Sequence, residues 1–88
     1  MAKWDDISFV LRSANRKKVF ESLKEPKIPT QIAKGLGLNL GYISNILIEL
    51  LDRRLIECLT PNEKRHRFYR ISLKGKNLVK ELPSLKQF

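Results

Sequence analysis

The chain has 88 residues with 18 Lys and Arg against 9 Asp and Glu, a formal charge of +9 and a pI near 10.1. That length admits one compact domain, and Cys58 as the only cysteine excludes an intrachain disulfide and a zinc-finger type of site. An apolar share of 42% argues against global disorder, no apolar run approaches the ~20 residues that cross a bilayer, and the cation excess attracts polyanions, chiefly nucleic acid or an anionic membrane surface.

From Trp4 to Leu23 the pattern is helical, in two pieces. Ile7, Val10 and Leu11 share one face, Val19, Phe20 and Leu23 recur at helical spacing, and Ser13 is placed to cap the second piece. Glu25-Pro26 ends this region, because the residue before proline is pushed out of helical geometry. Pro29-Thr30 opens a short helix with Ile32 and Ala33 inward. It stops at Gly35-Leu36-Gly37, where a glycine can take the left-handed conformation that ends helices. Asn39 is an N-cap for the next helix, which the pattern carries to about Arg54. Leu40, Ile43, Leu47, Leu50 and Leu51 form its apolar stripe, and Gly41, Ser44, Asn45, Ile48 and Asp52 lie opposite.

The period then changes. Leu55 to Thr60 and Arg67 to Leu73 read as strands, the second alternating Tyr69, Ile71 and Leu73 inward against Phe68, Arg70 and Ser72. Between them Pro61 to His66 make a long polar tip. Helical spacing returns from Lys74 to Leu82, with Leu78, Val79 and Leu82 inward; Pro83 closes it and leaves 84–88 as a tail. The expected fold is mainly α with a small β-hairpin, in the order helix, helix, helix, hairpin, helix, over a single domain spanning residues 1–88. Two helices joined by a tight glycine-containing turn and followed by a basic hairpin describe a winged helix-turn-helix.

That geometry lets the helix from Asn39 enter a major groove about 12 Å wide while the preceding helix braces it. The side chains near its start must be small or polar, and they are Asn39, Gly41, Tyr42, Ser44 and Asn45. Asn45 suits a bidentate contact to adenine, Ser44 a contact to base or phosphate, and Gly41 a close backbone approach. Asn39 serves either as a cap alone or also as a base reader. Tyr42 either reaches a phosphate or lies idle on the surface, and Ile48 meets either a thymine methyl or another protein. Thr30 and Gln31, where the bracing helix presents free amides, suit phosphate contacts. Lys64, Arg65, His66 and Arg67 crowd the hairpin tip, where the cations can reach phosphates or the minor groove. Arg16, Lys17 and Lys18 either join them or are ordinary helical surface charge.

Taken together, these blocks resemble the archaeal winged helix-turn-helix transcription regulators related to the ArsR and MarR types. The resemblance runs through Trp4 to Val10, Pro29 to Ala33, Leu38 to Asn45, Leu50 to Pro61 and Tyr69 to Gly75. It implies sequence-specific binding of double-stranded DNA by a regulator that works as a homodimer. The positions it assigns to DNA are Thr30, Gln31, Asn39, Gly41, Tyr42, Ser44 and Asn45, with the wing cations. Two departures stand out. Arg54 replaces the usual glycine at the turn into the wing, and the metal-binding cysteine pair of ArsR sensors is missing, so no metal and no cofactor is expected. A dimer of so short a chain would use its N- and C-terminal helices, with Trp4, Phe9, Leu85 and Phe88 as candidates; packing within one subunit is the alternative for Trp4 and Phe9.

Catalysis is not expected. His66 is the only histidine and stands in a basic loop with no carboxylate pair or nucleophile beside it, and Cys58 reads as a small buried strand residue. The lone thiol, and an N-terminus without signal-peptide layout, suit a cytoplasmic protein with no membrane partner. The rival to DNA binding is a winged-helix module that binds protein or RNA.

Overall fold

The computed structural model describes residues 2–85, with side chains described for residues 4–81. The elements are α1 (Ala2–Leu11), α2 (Ala14–Ser22), α3 (Pro29–Leu36), α4 (Leu40–Asp52), β1 (Ile56–Cys58), β2 (Tyr69–Ile71) and α5 (Leu73–Leu85). This is the expected order.

Each helix start has a local cause. The Ser13 hydroxyl accepts the Arg16 amide at 3.2 Å and separates α1 from α2. Pro29 opens α3 with its φ already helical. Gly37 at φ 67° ends α3, and the Leu38 amide reaches back to the Ala33 carbonyl at 3.0 Å. Asn39 caps α4. Ser72 starts α5, accepting the Gly75 amide at 3.0 Å.

The core takes Ile7, Phe9 and Val10 from α1, Val19 and Phe20 from α2, and Ile32 from α3. Ile43, Ile46, Leu47 and Leu50 enter from α4, and Leu23, Leu55, Ile56, Ile71 and Leu78 complete it. Full burial of one such aliphatic side chain stabilises by roughly 1.5–3 kcal/mol. Five expected placements change. Ile46 belongs to the buried stripe, three residues from Ile43 and four from Leu50. Leu40 leaves the stripe and is exposed, because the first turn of α4 projects past the core. Leu11, at the end of α1, is also exposed. Leu73 is 75% exposed because the Ser72 cap draws it into a helix and breaks the strand alternation. Cys58 is only half-buried.

β1 and β2 pair antiparallel in the register Ile56↔Ile71, Glu57↔Arg70 and Cys58↔Tyr69. The chain before α3 adds a bridge that periodicity did not reveal: Lys27 and Tyr69 exchange both backbone hydrogen bonds, at 3.0 and 2.9 Å, and the Ile71 amide donates to the Leu23 carbonyl. The hairpin is therefore fixed to the α2–α3 linker as well as to its own partner strand.

Helix α5 continues through Pro83 to Leu85 and does not stop at the proline. The missing amide deprives the Val79 carbonyl of its helical donor, but buried Leu78 and half-buried Val79 already anchor the helix one turn earlier. The side chains of Leu82 and Leu85, and residue Phe88, lie outside the described residues. Among the described residues no helix is long and apolar enough to cross a membrane.

At the turn into β1, Arg54 has φ 60°. The Leu55 amide donates to the Leu50 carbonyl at 3.0 Å and the Arg54 amide to Leu51 at 2.9 Å, the two bonds of a glycine-type helix stop. The backbone thus keeps the left-handed conformation of a glycine with a β-carbon in place, which costs about 1 kcal/mol. Arg54→Gly should therefore raise stability by about 1 kcal/mol, or about 4–8 °C in Tm for a domain of this size. Thermal unfolding followed by circular dichroism checks it; an unchanged or lower Tm would show that the strain is relieved elsewhere.

Candidate nucleic-acid interface

The start of α4 is organised by one side chain. Asn39 Oδ1 accepts the Gly41 amide at 2.8 Å and the Tyr42 amide at 3.3 Å, so its oxygen is committed to the cap and only its amide group faces outward. Gly41 has an internal reason as well: a β-carbon there would stand 3.0 Å from Asn39 Oδ1, tighter than such contacts normally run. Gln31 is partly committed in the same way, since its Oε1 accepts the Ile28 amide at 3.0 Å.

Beyond that turn, Gly41, Asn45, Ile48 and Asp52 form the solvent face of α4, with Ile48 57% exposed. One flank of the helix borders a groove of about 440 Å³ lined by Ile28, Pro29, Thr30, Leu40, Ser44, Arg65 and His66. Three of the expected residues, Thr30, Ser44 and Arg65, therefore meet around one depression. Tyr42 stands on the other flank, beside α2, where its hydroxyl accepts from Asn15 Nδ2 at 3.3 Å.

The wing is a braced turn. The Leu59 amide donates to the Phe68 carbonyl at 2.8 Å, the Phe68 amide to Thr60 Oγ1 at 3.0 Å, and the Glu63 amide to the Thr60 carbonyl at 3.1 Å. Arg67 Nε donates to the Glu63 carbonyl, so this cation is folded onto its own loop. Lys64 and Arg65 are exposed at the tip, and His66 turns the chain at φ 56°.

An ionic cluster around buried Asp6 sets the far end of α4. Asp6 is 4% exposed and lies 3.2 Å from Arg53 Nη1 and 3.1 Å from Lys74 Nζ, while Lys74 also donates to the Arg53 carbonyl at 2.8 Å. Phe9 is clamped between the guanidinium groups of Arg16 and Arg53, 3.8 and 4.0 Å from its ring centroid. Arg16 further donates to the Phe9 carbonyl at 2.6 Å and to Glu49 Oε1 at 3.3 Å. Phe9 thus packs within its own subunit, and Arg16 braces α4. Sequence periodicity gave no sign of this cluster, nor of the Asn15–Tyr42 pair, whose members are 27 positions apart. Leu40 as a groove residue was hidden by its fit to the apolar stripe.

These elements define a winged helix-turn-helix fold, α3 and α4 forming the helix pair and the β-hairpin the wing. Solved structures share it. A MarR-family transcription regulator superposes with a TM-score of 0.75 at 23% identity, covering 94% of this chain and 60% of its own. Staphylococcus aureus MepR in complex with DNA gives 0.76 at 20% identity, covering 97% and 73%. The homodimeric winged helix-turn-helix DNA-binding domain Mb0332 of Mycobacterium bovis, a possible ArsR-family regulator, gives 0.73 at 21%, covering 96% and 75%. The chain spans 60% of the length of the MarR-family regulator and of a Mycobacterium tuberculosis protein of the same fold. No family model matches the sequence, and no curated protein matches it significantly. The likenesses establish the fold and carry nothing of an archaeal origin.

Proposed function

We propose that this chain is a non-enzymatic, sequence-specific binder of double-stranded DNA, acting as a transcription regulator. In this reading α4 enters the major groove and the wing, residues 61–67, lies on the backbone or in the minor groove. The observation that carries it is the groove in which Thr30, Ser44 and Arg65 converge: it joins the bracing helix, the recognition helix and a cationic wing tip into one surface. A helix of about 10–12 Å diameter fits a major groove about 12 Å wide, and the first two turns of α4 expose small or polar Gly41 and Asn45 beside the apolar Leu40 and Ile48. MepR, which shares the fold, was solved bound to DNA.

We further propose a homodimer built on the terminal helices. Trp4 is 64% exposed and Leu11 40%, and the two flank one shallow groove with Ser8, Arg12 and the edge of buried Ile7, so α1 leaves two large apolar side chains that its own core does not cover. Phe9 has no part in it.

Titration of a mixed-sequence duplex with salt tests the DNA reading. Several phosphate contacts require affinity to fall steeply as salt rises. Undetectable binding at low salt would sink the proposal and turn attention to RNA or protein partners. Base reading has its own test: Asn45→Ala should cost about 1–3 kcal/mol at one position of the preferred site while leaving baseline affinity nearly intact. Selection from a random duplex pool reads this out, and an unchanged preference would remove Asn45 from recognition.

A further inference from the structure

We infer that Asn15 and Tyr42 form a second phosphate contact, on the flank of α4 opposite the wing, so that the domain holds both strands bordering the groove. The inference rests on the DNA reading above.

A helix that fills the major groove has a sugar–phosphate strand on each side. One flank of α4 carries Leu40 and Ser44 and faces the wing groove. The other carries Tyr42 and Glu49 and faces α2, through Asn15 and Arg16. No expected contact was assigned to that second strand beyond the Tyr42 hydroxyl.

The chemistry there suits a phosphodiester. Asn15 Nδ2 donates to the Tyr42 oxygen, which leaves the phenolic hydrogen to donate outward, and the Asn15 amide has a second hydrogen of its own. Two neutral donors thus converge on an exposed spot, and a non-bridging phosphate oxygen is purely an acceptor. Asn15 is fixed in the first turn of α2, just after the Ser13 cap, where the helix start favours negative charge. Glu49 is the acid on this flank, and Arg16 pairs with it at 3.3 Å, so it does not present an isolated negative charge to the strand. Exposed Lys18 lies one turn further along α2.

Such a contact is blind to sequence and, being made by uncharged donors, releases no extra counterion. Asn15→Ala and Tyr42→Phe should each weaken binding to every duplex about fivefold, the worth of one hydrogen bond, with the salt slope unchanged. Because the donors share one bond, the double variant should lose clearly less than the product of the two.

Asn15→Asp separates this role from a structural one. A carboxylate in the first turn of α2 preserves or raises Tm but repels a phosphate, so affinity should fall at least tenfold while the fold holds. This variant decides the matter if Asn15→Ala melts early. Wild-type affinity in Asn15→Asp, on a duplex whose binding still responds to Lys64→Ala, would overturn the inference and leave the DNA reading intact. Absence of duplex binding by the wild-type chain would instead overturn the DNA reading itself.

Discussion

Gly75→Ala should destabilise this domain strongly, although the change adds one methyl group to a residue in a helix. A β-carbon at Gly75 would press into the carbonyl oxygen of Leu55 and stand 2.8 Å from Ile71 Cγ2 and 3.2 Å from the Leu55 carbonyl carbon. Two of those atoms are backbone, and that backbone is not free to retreat. The Leu55 carbonyl accepts the Ser72 amide at 3.1 Å, the Arg54 carbonyl accepts the Ser72 hydroxyl at 2.7 Å, and the Arg53 carbonyl accepts Lys74 Nζ. Alanine is ordinarily the better helix former by about 1 kcal/mol, so propensity predicts the opposite sign. Overpacking of about 3 kcal/mol or more outweighs that gain, and a domain of this size loses about 4–8 °C of Tm per kcal/mol. Thermal unfolding of Gly75→Ala should therefore show Tm lower by at least about 10 °C. A Tm within a few degrees of wild type would mean that α5 slides away from Leu55 at little cost.

That junction also shows what could be read in the sequence and what could not. Local signals were legible because each is enforced by groups close in the chain. The Ser13 and Asn39 caps, Pro29 at a helix start, and Gly37 at a helix end all act within one turn. Buried stripes were legible as far as they lay in mid-helix. At helix ends the same pattern misleads, because an apolar residue there can overhang the core, as Leu11 and Leu40 do. Leu73 illustrates a conflict between two local rules: strand alternation placed it inward, and the Ser72 cap turned it outward. The features that escaped altogether join distant segments. Asp6 meets Arg53 and Lys74, and Lys27 pairs with Tyr69, through contacts that no periodicity encodes. Arg54 is the instructive intermediate. The resemblance marked it as a departure, and the structure shows the backbone holding the glycine conformation regardless of the side chain. Of the expected contact residues, the groove unites Thr30, Ser44 and Arg65, while Asn39, Gly41 and Gln31 each have structural work within the cap of a helix.

Removing the two cations at the wing tip should change how strongly binding depends on salt more than any other surface substitution. Lys64 and Arg65 are exposed at the tip, and Arg65 lines the groove beside Thr30 and Ser44. If each neutralises one phosphate, the Lys64→Ala, Arg65→Ala double variant flattens the slope of log affinity against log salt by about 2. Affinity should then fall on the order of a hundredfold at ~50 mM salt but only about tenfold at ~200 mM. The loss should be the same for preferred and random duplexes, since phosphates carry no sequence. Arg67 should behave differently despite its equal charge. Its Nε holds the Glu63 carbonyl, so Arg67→Lys keeps the charge but releases the wing from its braced shape. Affinity should drop in that variant with the salt slope little changed. Fluorescence anisotropy across a salt series separates the two patterns. A double variant with the wild-type slope would remove the wing tip from the phosphate backbone, and wild-type affinity in Arg67→Lys would mean that charge alone matters at this position and that Arg67 is not a brace.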